Sequence, residues 1–184
     1  MVYYKDEICL IRNLEKDDIE EIVREECAQG WQASDAKYLM RIKNQEEEKC
    51  ISFVAEYKGS VAGDVNLYFC AKTGPFAFAA YPEIVDFGVL EKYRRQGIGT
   101  RLMDVAEEIG FQSSHIICIG VGLHSGYGSA QRMYVKRGYV PDGSGVWYRD
   151  KVCEPYEKCC NDDDLVLYLS KNIETQNIFL DKKL

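Results

Sequence analysis

The chain predicts an α/β domain in which a mixed central sheet is flanked by helices, and three observations carry that prediction. Along its 184 residues, segments with alternating apolar residues interleave with segments whose apolar residues recur every three or four positions. The run 115–123 is continuously apolar and rich in isoleucine and valine, the pattern of a strand buried on both faces. Between the apolar run 84–90 and the helical pattern Ile98, Leu102, Val105, Ala106, Ile109 stands Arg94-Arg95-Gln96-Gly97-Ile98-Gly99-Thr100, so the order there is strand, glycine loop, helix.

The elements follow in order. Residues 8–12 read as a short strand. Asp17 or Asp18 caps a helix whose apolar face is Ile19, Ile22, Val23 and Cys27, and Gly30 ends it. Ser34 opens a second helix through Tyr38, Leu39 and Ile42, with Glu46-Glu47-Glu48 as its solvated end. Residues 50–57 alternate like a strand, Lys58-Gly59-Ser60 is a tight turn, and 61–70 is the hairpin partner. Thr73-Gly74-Pro75 breaks the pattern before the strand at 83–90, the glycine loop and a helix that Gly110 stops. After the buried strand comes a helix with Ala130, Met133 and Tyr134 on one face and Gly138 as its stop. A strand starts at Tyr139-Val140, Asp142-Gly143-Ser144-Gly145 turns, Val146-Trp147-Tyr148 returns, 153–164 is a loop and 165–169 a last strand. There is no internal repeat or linker, so residues 1–184 are expected to form a single domain.

Composition narrows the function classes. Apolar residues make up 46% and charged residues 29%, ordinary for a soluble protein, and no apolar run approaches the roughly 20 residues of a membrane span. A net charge of -7 argues against a nucleic-acid surface and suits cationic partners such as amines. The first residues lack a basic start followed by an apolar stretch, so a cytoplasmic location is expected. Of the eight cysteines, Cys9, Cys27, Cys50, Cys70 and Cys118 fall in apolar periodic segments and read as buried small hydrophobes. Cys153, Cys159 and Cys160 cluster near the end without a C-x-x-C pair, so no metal site is expected, and a reducing cytosol fits all eight.

The glycine loop carries the chemistry. A helix N-terminus presents free backbone N–H groups and a partial positive charge, and glycines let the backbone touch a phosphate. The dinucleotide fingerprint places its third glycine where Leu102 stands, and the P-loop ending Gly-Lys-Ser/Thr is missing. What remains, Arg94-x-x-Gly97-x-Gly99, resembles the coenzyme A signature Gln/Arg-x-x-Gly-x-Gly/Ala of the GNAT (Gcn5-related N-acetyltransferase) superfamily. Val89 stands where that signature begins, and Ala130-x-x-x-Tyr134-x-x-x-Gly138-Tyr139 is similar to the family's Ala-x-x-Leu-Tyr-x-x-x-Gly-Phe. The element order agrees over roughly residues 8 to 169. One departure is Tyr127, where many members carry an asparagine that contacts coenzyme A.

The resemblance implies a single-domain GNAT fold and acyl transfer from acetyl-CoA to an amine by direct attack, without a metal. The backbone of Arg95, Gln96, Gly97, Ile98, Gly99 and Thr100 would hold the pyrophosphate, with Arg94 or Arg95 adding charge. Backbone groups of Phe87 and Val89 would align the pantetheine arm, and the Phe87 N–H would polarise the thioester carbonyl. Tyr134 takes the place of the general acid that protonates the leaving thiolate. Glu83, at the position of the glutamate of histone-acetylating members, and Asp86 are the candidate bases. Residues three apart on a regular strand point to opposite faces, and a bulge on this strand would reverse them. His124 ends the buried strand and Trp31 follows Gly30 between the first two helices; both are candidates for binding the acceptor. That acceptor is expected to be a small-molecule or peptide amine, and the protein a monomer or homodimer with neither nucleic acid nor membrane as partner. The competing class is a non-catalytic acyl-CoA-binding sensor, for which the cradle suffices and Tyr134 is superfluous.

Overall fold

The computed structural model describes residues 1–173; residues 174–184, the tail of the expected domain, lie outside the described residues. The described residues hold nine strands and four α-helices, in the order β1 (Val2–Lys5), β2 (Cys9–Asn13), α1 (Ile19–Ala28), α2 (Asp35–Glu46), β3 (Cys50–Tyr57), β4 (Ser60–Tyr68), β5 (Glu83–Val89), α3 (Ile98–Ser113), β6 (Ile116–Gly122), α4 (Gly128–Lys136), β7 (Val140–Tyr148), β8 (Lys151–Val152) and β9 (Leu165–Asn172). They group into two compact units. One comprises Met1–Tyr68 with Ile84–Ile109; the other comprises Phe69–Glu83 and the chain from Gly110 onward.

In the first unit the strands lie in the order β1-β2-β3-β4-β5. β2 pairs antiparallel with β3, and β3 with β4. Ser34 caps α2, its side chain accepting from the Lys37 N–H. Leu14, Ile19, Ile22, Tyr38, Ile42, Val54 and Val61 form one buried cluster with Val23 packed against it, so most of the predicted apolar faces of α1 and α2 bury, while Leu39 and Cys27 are exposed. On α3, Ile98, Leu102, Val105 and Ala106 are buried at helical spacing. In the second unit the strand order is β6-β9-β7-β8, with β9 antiparallel to both β6 and β7. No described helix is long and apolar enough to cross a membrane.

The structure corrects four local expectations. An additional strand, β1, pairs with β2, formed by a polar and aromatic segment with no alternation to announce it. α3 runs through Gly110 to Ser113, a glycine inside a helix costing only about 1 kcal/mol relative to alanine. The segment 142–145 does not reverse the chain: β7 is one strand whose register on β9 shifts between Pro141 and Val146, with Gly143 and Gly145 both at φ 89°. The reversal comes later, at Arg149 and Asp150, both with positive φ, leading into β8. Finally, Cys27 and Cys70 are exposed, whereas Cys9, Cys50 and Cys118 are buried; all eight thiols are free.

Candidate active site

The glycine loop leads directly from β5 into α3. Arg95 and Gly97 both take left-handed backbone, φ 61° and 79°, which turns successive N–H groups toward one side. None of the N–H groups from Arg95 to Thr100 has a main-chain acceptor among the described residues, the first being regained at Arg101, which donates to the Gly97 carbonyl at 3.1 Å. Arg94, Arg95, Gln96, Gly97 and Thr100 are exposed, Gly99 half-buried, and Ile98 anchors the turn in the core. This is a run of backbone donors without main-chain acceptors at a helix start, the chemistry a diphosphate needs.

The side chains around the loop are already engaged. Arg94 donates to the Val89 carbonyl at 3.3 Å and to Glu91 at 3.1 Å, and its guanidinium lies 5.9 Å from the Trp31 ring. The Gln96 side chain accepts from the Tyr57 hydroxyl. Arg101, which the sequence reading did not single out, reaches back one turn: its Nη1 donates to the Gln96 carbonyl and would lie 2.7 Å from a Cβ at Gly97, while Nε meets the Tyr4 hydroxyl at 3.0 Å. Its position four residues after Gly97 on a helix was the available signal.

β5 is not a regular strand. Asp86 sits at φ 52°, a left-handed residue that breaks the alternation. Beyond it, Phe87 and Val89 lie against Gly99, where a Cβ would be 3.0 Å and 3.4 Å away, and Gly88 faces Trp31, where a Cβ would be 3.0 Å from Cζ3. Trp31 closes a narrow crevice lined also by Ile22, Glu26, Val61, Gly63, Asp64 and Leu90. Three charged residues there escaped the sequence reading. Buried Arg41 of α2 bridges Asp64 of β4 and Asp86 of β5, the latter at 2.7 Å, and Tyr38 donates to buried Glu26 at 2.6 Å. Burial pushes the Asp64 carboxyl up, against the pull of Arg41. A buried carboxylate in the strand Val61 to Leu67, whose residues apart from Asp64 and Asn66 are apolar or glycine, signals a buried partner; which residue supplies it is a tertiary fact.

In the second unit, Glu83 carries no side-chain hydrogen bond or ion pair among the described residues, and burial, reinforced by the charge of Asp150, raises its carboxyl to about 7. Tyr134 on α4 is buried, with its ring 6.0 Å from that of Tyr139, and desolvation holds its phenol well above the usual range. His124 is occupied by its own loop: Nδ1 accepts from the Gly126 N–H at 3.1 Å and Nε2 meets Asp163 at 2.9 Å. Tyr127, at the position where an asparagine was expected, donates to the same Asp163 at 2.9 Å and stacks edge-on to His124, so it builds this loop. Trp147 donates to Ser144 and packs edge-on to Tyr168.

This arrangement has known counterparts. No curated protein matches the chain. Ard1 from Thermoplasma volcanium shares its fold with a TM-score of 0.65 at 21% identity, over 90% of this chain and 98% of the other. A spermidine N-acetyltransferase chimera from Vibrio cholerae and hSSAT gives a TM-score of 0.64 at 16% identity, over 91% and 96%. RimL, a ribosomal L7/L12 alpha-N-protein acetyltransferase solved in complex with coenzyme A, gives 0.67 at 10% identity, over 95% and 99%. At such identities these likenesses speak for the fold. The profile of the "Acetyltransferase (GNAT) family" matches residues 16–139, about two thirds of the sequence, and so takes in both the glycine loop and the helix bearing Tyr134. On that match, this chain belongs to the GNAT acetyltransferase family.

Proposed function

We propose that this acetyltransferase transfers the acetyl group of acetyl-CoA directly to a primary amine of a small molecule or of a peptide or protein. The observation that carries the reading is the run of N–H groups from Arg95 to Thr100 without main-chain acceptors among the described residues, with left-handed backbone at Arg95 and Gly97, at the start of α3. It fits the diphosphate of coenzyme A, and the glycines keep side chains out of the way. When bound, acetyl-CoA supplies an activated thioester; the chain supplies orientation and proton transfers. The backbone of Phe87 and Val89 aligns the pantetheine arm.

Glu83 is the base in this reading. With its carboxyl raised to about 7, it accepts a proton from an ammonium far better than an ordinary carboxylate, and it is ionised in half the molecules near neutrality. Asp86 is held by Arg41 and is the poorer choice. The freed amine attacks the carbonyl carbon, the carbon–sulfur bond breaks, and the Tyr134 phenol, kept protonated by burial, donates to the departing thiolate. Trp31, half-buried with the Arg94 guanidinium 5.9 Å from its ring, borders the acceptor side in this reading. Relatives named for spermidine and for a ribosomal protein support both kinds of acceptor. The free thiols support residence in a reducing cytoplasm.

The test is free-thiol release from acetyl-CoA with a panel of mono- and polyamines and N-terminal peptides. Wild type should release thiol only when a suitable amine is present, and Tyr134→Phe should lower kcat about 100-fold. Binding of acetyl-CoA with no amine-dependent release across the panel would favour the sensor reading instead.

A further inference from the structure

We propose that Arg41 is a positioning residue for the acetyl donor: its guanidinium, clamped between Asp64 of β4 and Asp86 of β5, fixes the β5 bulge and thereby decides which faces of residues 87–89 meet the glycine loop. The inference rests on the reading above, in which Phe87 and Val89 align the pantetheine arm.

Asp86 adopts φ 52° in the middle of a strand. Aspartate enters this region at a smaller cost than most non-glycine residues, but inside a strand it interrupts the regular backbone and needs support from its surroundings. Arg41 supplies it. Its Nη2 meets Asp86 Oδ2 at 2.7 Å while Nη1 holds Asp64. The guanidinium is itself immobilised: Arg41 is only 4% exposed, its Cζ lies 4.6 Å from the Tyr38 ring, and Tyr38 is tied to Glu26. A planar fork can span two carboxylates on neighbouring strands, which a lysine ammonium on its single flexible stem does poorly.

The consequence lies immediately downstream. With the bulge at Asp86, Phe87 and Val89 rest on Gly99 of the loop, and Gly88 rests on Trp31. Because side chains on a strand alternate, losing the bulge would shift residues 87–89 by one position and exchange these faces: Gly88 would meet Gly99, and Phe87 and Val89 would collide with Trp31. Arg41 therefore acts on the donor through β5, without touching it.

The experiment compares wild type, Arg41→Lys, and Arg41→Lys with Asp86→Gly, by hydrogen exchange of segment 84–90, coenzyme A affinity, and kcat and KM for acetyl-CoA. Arg41→Lys keeps a cation beside buried Asp64 while weakening the fork. It should speed exchange at residues 86–89 and raise the coenzyme A Kd, each about tenfold. Adding Asp86→Gly, which takes positive φ without strain, should bring both back to within about threefold of wild type. Unchanged exchange in Arg41→Lys would overturn the proposal. So would a loss that Asp86→Gly leaves untouched, since Arg41 would then merely neutralise Asp64. Should Arg41→Lys fail to fold, Asp86→Ala replaces it: the proposal expects faster exchange in Asp86→Ala than in Asp86→Gly, and equal rates would refute it. A wild type that binds no coenzyme A sinks the reading of the site, while the exchange comparison still decides the clamp.

Discussion

Replacing Glu83 with glutamine tests burial and chemistry at once. The carboxyl sits at about 7 in the folded protein against an ordinary 4.5. At about 1.4 kcal/mol per unit, the difference corresponds to about 3 kcal/mol, an upper bound because the side chain keeps some solvent contact. The sign follows from proton counts. Below about pH 4.5 the carboxyl is protonated whether the chain is folded or not, and Glu83 costs nothing. Between 4.5 and 7 the unfolded chain has released its proton while the folded one retains it, so stability falls as pH rises, and the loss is complete above about 7. Glutamine does not titrate. Thermal melts of wild type and Glu83→Gln from pH 4.5 to 8 should therefore diverge, the variant gaining up to about 3 kcal/mol relative to wild type, or on the order of 6–12 °C in Tm for a chain of this size. Using the difference between the two proteins cancels the titrating groups that do not interact with Glu83. In parallel, wild-type kcat/KM for the amine should rise through pH 7, and the variant should lose about 100-fold at its plateau. A Tm difference that stays flat with pH would refute the burial argument. A pH–rate profile preserved in Glu83→Gln would remove Glu83 as the base while leaving the stability effect standing.

Two glycines give further predictions. Gly97→Ala places a side chain at φ 79° and 2.7 Å from Arg101 Nη1, so stability should fall by about 1–2 kcal/mol and coenzyme A affinity of the folded protein, measured by calorimetry, by about tenfold; an unaltered Kd would argue against the loop as the phosphate cradle. Gly63→Ala would set a Cβ 2.5 Å from the Gly88 carbonyl oxygen, a backbone atom that cannot swing away, so β4 and β5 must separate at a cost of about 1–3 kcal/mol; a melting temperature equal to wild type would contradict that close approach.

Much of the fold was legible because burial writes a period into the sequence. The faces Ile19, Ile22 and Tyr38, Ile42 are the ones that bury, and Ser34 caps the helix it was expected to cap. The glycine loop was equally legible, since free donors at a helix start need small residues in a short window. β1 was not, because an edge strand with polar and aromatic residues buries little and so leaves no period. Nor was the single course of β7: Asp-Gly-Ser-Gly is turn chemistry locally, and only the ladder to β9 converts it into a bulge.

The site divides along the same line. Tyr134 is fixed by its neighbours on one helix, whereas the orientation of Phe87, Gly88 and Val89 depends on one dihedral at Asp86, and the residue that stabilises it lies 45 positions earlier on α2. Strand periodicity alone sets Glu83 and Asp86 on opposite faces; the left-handed backbone at Asp86 ends that alternation. No local pattern announces Arg41, because a polar residue on the buried face of a helix, between Tyr38 and Ile42, weakens the period without naming its partner. The partners are visible only as carboxylates in unlikely places, Asp64 inside a buried strand and Asp86 within β5. Buried charge must be matched, so a carboxylate in a buried strand and an arginine on the buried face of a helix are evidence for each other.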